Sequence, residues 1–291
     1  MRTTLRPRRS VLYMPGANVR AIEKARTLPA DTLILDMEDA VAPDAKDLAR
    51  SRIVSAVCQG GFGRREVIVR VNGLGTDWGR EDVRAISTIG ADAVLFPKIE
   101  DPNEVLDAIA TLDEAGAPAA LPVWIMAETP RGVLRIDAIA AAHPRLAVIV
   151  MGTSDLAKEM RVRHTTDRIG LVTALSSCVL AARANGLDIL DGVHLDLADE
   201  DGFRQACEQG EALGFDGKTL IHPKQIAVAN EVFAPSGGEV ESARRIIDAW
   251  NLSNAQGQGV VVVDGRLVEN LHVEEARRTL AMHDAIRALA G

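Results

Sequence analysis

Short apolar runs alternate with helical patterns along most of the chain, and this rhythm constrains the fold more than any other feature. Most runs are continuously apolar, which is typical of parallel strands buried on both faces. The intervening helices carry boundary signals, such as Asp101 and Pro102 at a start and Gly214 at an end. The eight strand-like runs are Ser10–Pro15, Thr32–Asp39, Val67–Gly73, Ala93–Lys98, Val123–Glu128, Ala147–Gly152, Asp188–Gly192 and Lys218–Pro223.

This alternation predicts an α/β fold of the (β/α)8 TIM-barrel type, because eight β/α units in roughly 225 residues match the usual length of such a barrel. A doubly wound open sheet is the alternative. We place the barrel, as the catalytic domain, at residues 1–234 and a C-terminal extension at residues 235–291.

The extension has its own pattern. A helical stretch at Ser242–Asn251 precedes two short β runs that meet at Asp264-Gly265, a turn sequence typical of hairpins. A last amphipathic helix begins at about Val273. A helix–hairpin–helix segment buries little apolar surface alone, so we expect it to pack on the barrel or on a neighbouring subunit.

Composition excludes several classes of function. The formal net charge of −8 disfavours a nucleic-acid surface, which needs a basic face. No apolar run approaches the length of a membrane span, and no signal-peptide core follows the basic N-terminus. Cys58, Cys178 and Cys207 lack metal-ligand spacing and are odd in number, which indicates reduced thiols and a cytoplasmic protein.

Ionisable residues gather where the predicted strands end. In barrels of this type the carboxyl ends of the strands form the working face, so the side chains there converge on one mouth. A barrel built for stability alone has no reason to collect charge at this end. The residues concerned are Tyr13 to Gly16, Asp36 to Asp39, Arg70 to Asn72, Pro97-Lys98, Glu128-Thr129, Gly152 to Asp155, Asp191 and His222-Pro223.

Two of these acids predict a metal site. Glu128 ends the run in "VWIMAETPRG", and Asp155 follows the next run in "VIVMGTSDLA". Two carboxylates without His or Cys partners suit a hard cation such as Mg²⁺, with Mn²⁺ as an alternative. The structural alternatives are that Asp155 caps a helix starting near Leu156 and that Glu128 pairs with Arg131 or another cation.

Three cations complete the candidate site. Arg70 ends an apolar strand, so its guanidinium is expected in the mouth, where it stabilises developing negative charge or pairs with neighbouring acids. Arg20 and Lys24 lie four residues apart on one face of the first helix. They either grip a phosphate-bearing cofactor or form a solvated face. Lys98 and His222 carry weaker signals.

Together these segments resemble the citrate lyase beta-subunit family, which includes malyl-CoA and citramalyl-CoA lyases. The resemblance covers nearly the whole chain and depends on the order and spacing of many short motifs. They are "RSVLYMPGANVRAIEKA", "LDMEDAVAPDAK", "VIVRVNG", "LFPKIE", "AETPRG", "GTSDLA", "VHLD", "GFDGKTLIHPKQI" and "DGRLVE". Of these, "GTSDLA" and "LIHP" look more like lyases that use coenzyme A thioesters than like subunits that use a carrier protein.

The resemblance implies specific roles. Glu128 and Asp155 would bind Mg²⁺, and Arg70 would stabilise charge on the reacting oxygens. The protein would be a homotrimer that acts on an acyl-CoA and a 2-oxo acid. The substrate would contact Arg70, Glu128, Gly152, Thr153, Ser154 and Asp155, and coenzyme A, as part of the substrate, would contact Tyr13, Pro15, Arg20, Lys24, Leu195 and Asp196.

One departure from the family pattern concerns the acid/base residue. The family supplies an Asp from a Met-Ile-Asp-x-Pro motif of the neighbouring subunit, whereas this chain has "LVENL", with Glu269 at the Asp position and Leu271 at the Pro position. Glutamate keeps the carboxylate but extends it by a methylene. A shift of about 1 Å in a catalytic group can cost about 100-fold in rate.

The resulting functional prediction is a Mg²⁺-dependent carbon–carbon lyase. It would cleave a 3-hydroxyacyl-CoA of the malyl-CoA or citramalyl-CoA type to acetyl-CoA and glyoxylate or pyruvate. Glu269 and Arg70 would act as catalytic residues. The alternatives are a malyl-CoA thioesterase, a non-catalytic protein that binds metal and acyl-CoA, and, more distantly, an aldolase independent of coenzyme A.

Overall fold

The computed structural model describes residues 5–255 and 260–290. They form two compact units. The larger unit spans Arg8–Glu231, and the smaller unit combines the described residues before Arg8 with those from Val232 onward. None of the helices in the described ranges combines the length and apolar character needed to cross a bilayer.

The larger unit is a closed barrel of eight parallel strands in sequential order, with β8 paired to β1. The barrel prediction is confirmed and the open sheet is excluded. Its strands are β1 (Ser10–Pro15), β2 (Thr32–Asp36), β3 (Glu66–Arg70), β4 (Ala93–Phe96), β5 (Val123–Ala127), β6 (Leu146–Met151), β7 (Asp188–Asp191) and β8 (Gly217–Leu220).

Helices connect the strands. Asp101 caps α4 by accepting the N–H of Asn103, and Gly214 ends α9 with a φ of 94°, as the sequence predicts. The helices are α1 (Val19–Ala25), α2 (Lys46–Gln59), α3 (Gly79–Ile86), α4 (Pro102–Glu114), α5 (Pro130–Leu134), α6 (Ile136–Ala140), α7 (Thr153–Met160), α8 (Ile169–Asn185), α9 (Glu200–Leu213) and α10 (Ile226–Val232).

Several strands end earlier than the sequence suggests. The predicted runs include residues after the last ladder hydrogen bond, so β2 ends at Asp36 rather than Asp39 and β4 at Phe96 rather than Lys98. Met37 and Pro97, the first residues after these two strands, are buried although they lie outside the strands. The residues beyond the strand ends therefore belong to loops.

The smaller unit holds α11 (Gly237–Ala255), the antiparallel strands β9 (Val261–Val263) and β10 (Arg266–Val268), and α12 (Asn270–Ala290). Its turn residues Asp264 and Gly265 both have positive φ, at 49° and 76°, as a type I′ hairpin turn requires. Both helices are longer than predicted. A small core of Trp250, Val268 and Val273 joins the helices to the hairpin.

A cluster of three charged side chains, with two ion pairs to one buried carboxylate, lies between the barrel and its helices. Lys218 Nζ is 2.6 Å from Asp191 Oδ2, and Arg168 Nη1 is 2.7 Å from the same oxygen. Leu190 faces the barrel interior, so the next side chain on β7 points to the helices. Asp191 was expected at the mouth, and that prediction is wrong because of this alternation.

We expect Asp191→Asn to lower the free energy of unfolding by about 3–5 kcal/mol, because Lys218 and Arg168 would lose a buried counter-charge. Urea unfolding measures the change. Asp113→Asn is the matched control, since Asp113 is 56% exposed in its pair with Arg145 and a surface pair contributes at most about 1 kcal/mol. Equal effects of the two substitutions would contradict the prediction.

Candidate active site

The strand alternation aims four positions into the barrel mouth, three of them ionisable and one a glycine. Ile34, Ile68, Met126 and Val150 lie in the barrel core, and the residue two positions later on each chain segment faces the same side. These positions are Asp36, Arg70, Glu128 and Gly152.

Glu128 is fixed on two sides. It is 1% exposed, and its Oε1 accepts the backbone N–H of Lys98 at 2.7 Å. A Cβ built on Gly152 would lie 2.5 Å from Glu128 Oε2, so the carboxylate rests directly over this glycine. Arg131 lies instead 3.5 Å from Glu100. The predicted alternative pair between Glu128 and Arg131 is therefore absent.

Asp155 lies on the neighbouring segment. Strands β5 and β6 pair with Ala127 opposite Met151, which places Glu128 beside Gly152. Helix α7 begins at Thr153, so Asp155 is within its first turn and half-buried. The alternative in which Asp155 caps a helix near Leu156 is wrong, because the cap position is Gly152.

The donor set fits a magnesium ion. In the described ranges, no group of three or more His, Cys, Asp or Glu side chains is arranged to hold a metal. Two carboxylates alone leave coordination positions for water and substrate, which is the arrangement that Mg²⁺ favours. The net charge of the mouth also favours binding of a cation, because five carboxylates lie there beside three cationic side chains. They are Asp36, Glu38, Asp39, Glu128 and Asp155 against Lys46, Arg70 and Lys98.

Arg70 is held mainly by Asp36. Its Nε and Nη2 donate to the two Asp36 oxygens at 2.7 Å each, and both side chains are buried. Nη1 lies 2.9 Å from Glu38 and 3.7 Å from Asp39. Burial alone would lower the pKa of Arg70, but the surrounding groups, chiefly Asp36, together hold the pKa well above its usual value.

A tyrosine lies against this arginine. The Arg70 guanidinium carbon is 4.9 Å from the centre of the Tyr13 ring, an attractive cation–π geometry. Burial raises the pKa of the Tyr13 phenol, so the hydroxyl stays protonated at neutral pH. Tyr13 was predicted as a coenzyme A contact, and the structure places it in the mouth.

The remaining predicted coenzyme A residues lie in the loops and first helix around the barrel. Arg20 and Lys24 are exposed on α1, and within the described residues neither side chain has an ion pair. Pro15 ends β1 and is half-buried. The loop after β7 carries Leu195, which is 57% exposed, and Asp196, whose Oδ1 accepts the Ala198 N–H.

Two further predicted residues have local roles. His222 caps a short 3-10 helix, where its Nδ1 accepts the Lys224 N–H and Gln225 completes a capping box. Glu269 belongs to the smaller unit, is exposed, and precedes α12, where its backbone N–H donates to His272 Nδ1. The acid/base role of Glu269 stays a prediction.

Lys46 was missed by the sequence reasoning. Its Nζ is buried and donates to the Met37 and Glu38 carbonyls and to Asn72 Oδ1 at 2.7–2.9 Å. It therefore fixes the loop that carries the acids around Arg70. A lysine at the start of a helix usually lies in solvent, so its sequence position gave no signal of this contact.

The environment of Glu128 also predicts that the stability of the metal-free protein depends on pH. Burial raises its pKa from 4.5 to about 7, so the folded chain holds the proton more tightly than the unfolded chain. We expect this contribution to stability to be full below about pH 4.5 and to be lost as the pH rises through about 7.

Urea unfolding at each pH measures this loss, and Glu128→Gln should remove that part of the slope. An unchanged slope in Glu128→Gln would contradict the assignment. Because Mg²⁺ competes with the proton, its affinity should also rise over the same range.

A closed barrel of eight parallel strands, with carboxylates and a buried arginine at the carboxyl ends of its strands, has the architecture of TIM-barrel enzymes, whose active sites lie at this end. Residues 9–223 match the family model described as HpcH/HpaI aldolase/citrate lyase. The chain belongs to this family, as the sequence resemblance predicts.

Two relatives and one solved structure show which reactions and ligands are found among proteins similar to this chain. The chain is 52% identical to a (3S)-malyl-CoA thioesterase of Cereibacter sphaeroides, covering 97% of this chain and 96% of the relative. It is 34% identical, with the same coverage, to an L-malyl-CoA/beta-methylmalyl-CoA lyase of that species. The protein CitE of Mycobacterium tuberculosis, solved with magnesium, acetoacetate and coenzyme A, aligns with a TM-score of 0.77 at 28% identity, covering 96% of this chain and 98% of that one.

Proposed function

We propose that this protein is a Mg²⁺-dependent thioesterase that hydrolyses a malyl-CoA-type thioester. Water adds to the thioester carbonyl and the carbon–sulfur bond breaks, which gives the free 2-hydroxy diacid and coenzyme A. The identity of 52% to a (3S)-malyl-CoA thioesterase over 97% of the chain is the observation that carries this choice. It supports hydrolysis at least as well as the carbon–carbon cleavage that the sequence pattern favoured.

The residues at the mouth are suited to this reaction. Glu128 and Asp155 would hold the Mg²⁺, which supplies a Lewis acid for the substrate oxygens. Arg70 would stabilise the negative charge that develops on the carbonyl oxygen as water attacks. As the family resemblance implies, the proposed acceptor of the water proton is Glu269 of a neighbouring subunit, and Glu269→Gln should then lower turnover without changing Mg²⁺ affinity.

A lyase remains the second candidate. The same site would break the carbon–carbon bond of malyl-CoA to give acetyl-CoA and glyoxylate, and the lyase relative at 34% identity supports this reading. Both reactions need oxygens polarised by metal and arginine, so the mouth alone does not separate them.

Product analysis tests the proposal. Malyl-CoA and citramalyl-CoA are supplied separately with Mg²⁺, and free coenzyme A, the hydroxy diacid, acetyl-CoA and the 2-oxo acid are quantified. Equal amounts of coenzyme A and malate, with no 2-oxo acid, would support hydrolysis. Acetyl-CoA with an equal amount of glyoxylate or pyruvate would overturn it in favour of the lyase. Acyl-CoA binding without either product would indicate a non-catalytic protein.

Use of coenzyme A is tested by Arg20→Ala with Lys24→Ala. We expect KM for the acyl-CoA to rise about 10-fold with kcat nearly unchanged, because two charge-assisted contacts to phosphate would be lost. Arg84→Ala is the matched control, since Arg84 is also exposed but lies on α3. An unchanged KM in the double variant would place the coenzyme elsewhere or indicate a substrate that lacks it.

A further inference from the structure

Lys98 has an unusual backbone conformation. It lies two residues beyond Phe96, the last residue of β4, and has a φ of 53°, in the left-handed region that favours glycine. A non-glycine residue there costs on the order of 1–3 kcal/mol and is found where the surroundings enforce it. Glycine would adopt this conformation with less strain. The presence of a lysine therefore points to a role for its side chain.

The backbone of Lys98 contacts the candidate metal ligand. Its N–H donates to Glu128 Oε1 at 2.7 Å, while Glu128 Oε2 lies over Gly152. One oxygen is thus bound from the loop after β4, and the other faces the segment that carries Asp155. This hydrogen bond restricts the rotation of a carboxylate that is 1% exposed.

The side chain of Lys98 contacts the arginine half of the mouth. Its Nζ is 2.7 Å from Glu38 Oε1 and 3.5 Å from Asp39 Oδ1. The other Glu38 oxygen is 2.9 Å from Arg70 Nη1. Glu38 is buried and is therefore bridged by two cations, one on each oxygen. Lys98 is the residue that joins Glu128 to the Arg70 cluster.

We propose that Lys98 is a positioning residue of this site, an inference that rests on the proposed function. Its backbone N–H orients Glu128 for the metal, and its ammonium neutralises Glu38. With Lys98 in place, the charge of Glu38 is shared between two cations, so the Arg70 guanidinium stays in its bidentate pair with Asp36, in the orientation that serves the substrate oxygen. Without the ammonium, Arg70 is the only cation in the described ranges that is paired with the Glu38 carboxylate, because Lys46 binds the Glu38 backbone carbonyl instead. Arg70 is then drawn towards Glu38 and away from the substrate.

The test distinguishes the role of the Lys98 side chain from the role of its backbone N–H. Lys98→Met and Lys98→Gly both keep the N–H, so Mg²⁺ affinity measured by calorimetry without substrate should stay within about 3-fold of the wild type. The kcat should fall about 10–100-fold, the range that a displaced catalytic group produces, and Lys98→Arg should recover most of it. Loss of Mg²⁺ binding in Lys98→Gly would overturn the backbone role, and unchanged kcat in Lys98→Met would overturn the side-chain role.

A double-mutant cycle distinguishes positioning from general stabilisation. Glu38→Gln removes the charge that competes for Arg70, so the Lys98→Met/Glu38→Gln protein should turn over faster than Lys98→Met alone. Strictly additive losses would overturn the proposal. Thermal unfolding of each variant confirms that the folded protein is assayed. If the wild type neither binds Mg²⁺ nor forms product, the proposed function fails. If the wild type is active and the Lys98 variants behave like it, only the inference about Lys98 fails and the proposed function stands.

Discussion

Glu128→Gln is expected to abolish Mg²⁺ binding in calorimetry and to lower turnover by about 1,000-fold or more. The carboxylate is one of two candidate ligands, and the amide that replaces it carries no negative charge. A metal that polarises a carbonyl contributes several kcal/mol of transition-state stabilisation, and about 4 kcal/mol corresponds to this factor. Gln occupies the same volume above Gly152, so the barrel should remain folded.

The control for this substitution is Glu114→Gln, which makes the same chemical change at an exposed position near the end of α4. It should leave Mg²⁺ affinity and turnover at wild-type values. Full activity of Glu128→Gln with undiminished Mg²⁺ binding would show that the metal is bound elsewhere. Asp155→Asn should reproduce the loss if the two carboxylates share one ion.

Arg70→Met should produce the second large effect, a loss of about 100–1,000-fold in kcat together with lower stability. The catalytic part arises because a preorganised donor to a developing oxyanion typically contributes this factor. The stability part arises because Asp36 is fully buried and would lose its bidentate partner. Removing one partner of a buried pair costs about 3–5 kcal/mol. Steady-state kinetics and urea unfolding measure the two effects.

A second substitution separates these effects. Asp36→Asn added to Arg70→Met removes the orphaned charge, so stability should largely return while activity stays low. The comparison variant Arg84→Met replaces an exposed arginine on α3 and should change neither quantity. Recovery of activity along with stability would show that Arg70 acts only as a structural counter-ion.

The sequence predicted which residues lie in the site better than it predicted which side chains they contact. Arg70 was expected to pair with Glu38 or Asp39, and it contacts both, but its main partner is Asp36. Asp36 and Arg70 are directly opposite in the β2–β3 register. Register between strands some 30 residues apart depends on how the barrel closes, and local pattern does not specify it.

Spacing and residue type by themselves determined the class of fold, the end of the barrel at which charge collects, and the two carboxylates suited to a hard cation. These features are local, because continuous apolar runs, cap residues and turn residues act through neighbours in sequence. Tertiary structure alone decided that Asp191 points to the helices, that Lys46 is buried beneath the acids, and that Lys98 bridges Glu128 and Glu38. Those contacts join residues on different strands and helices, and only barrel closure brings them within bonding distance.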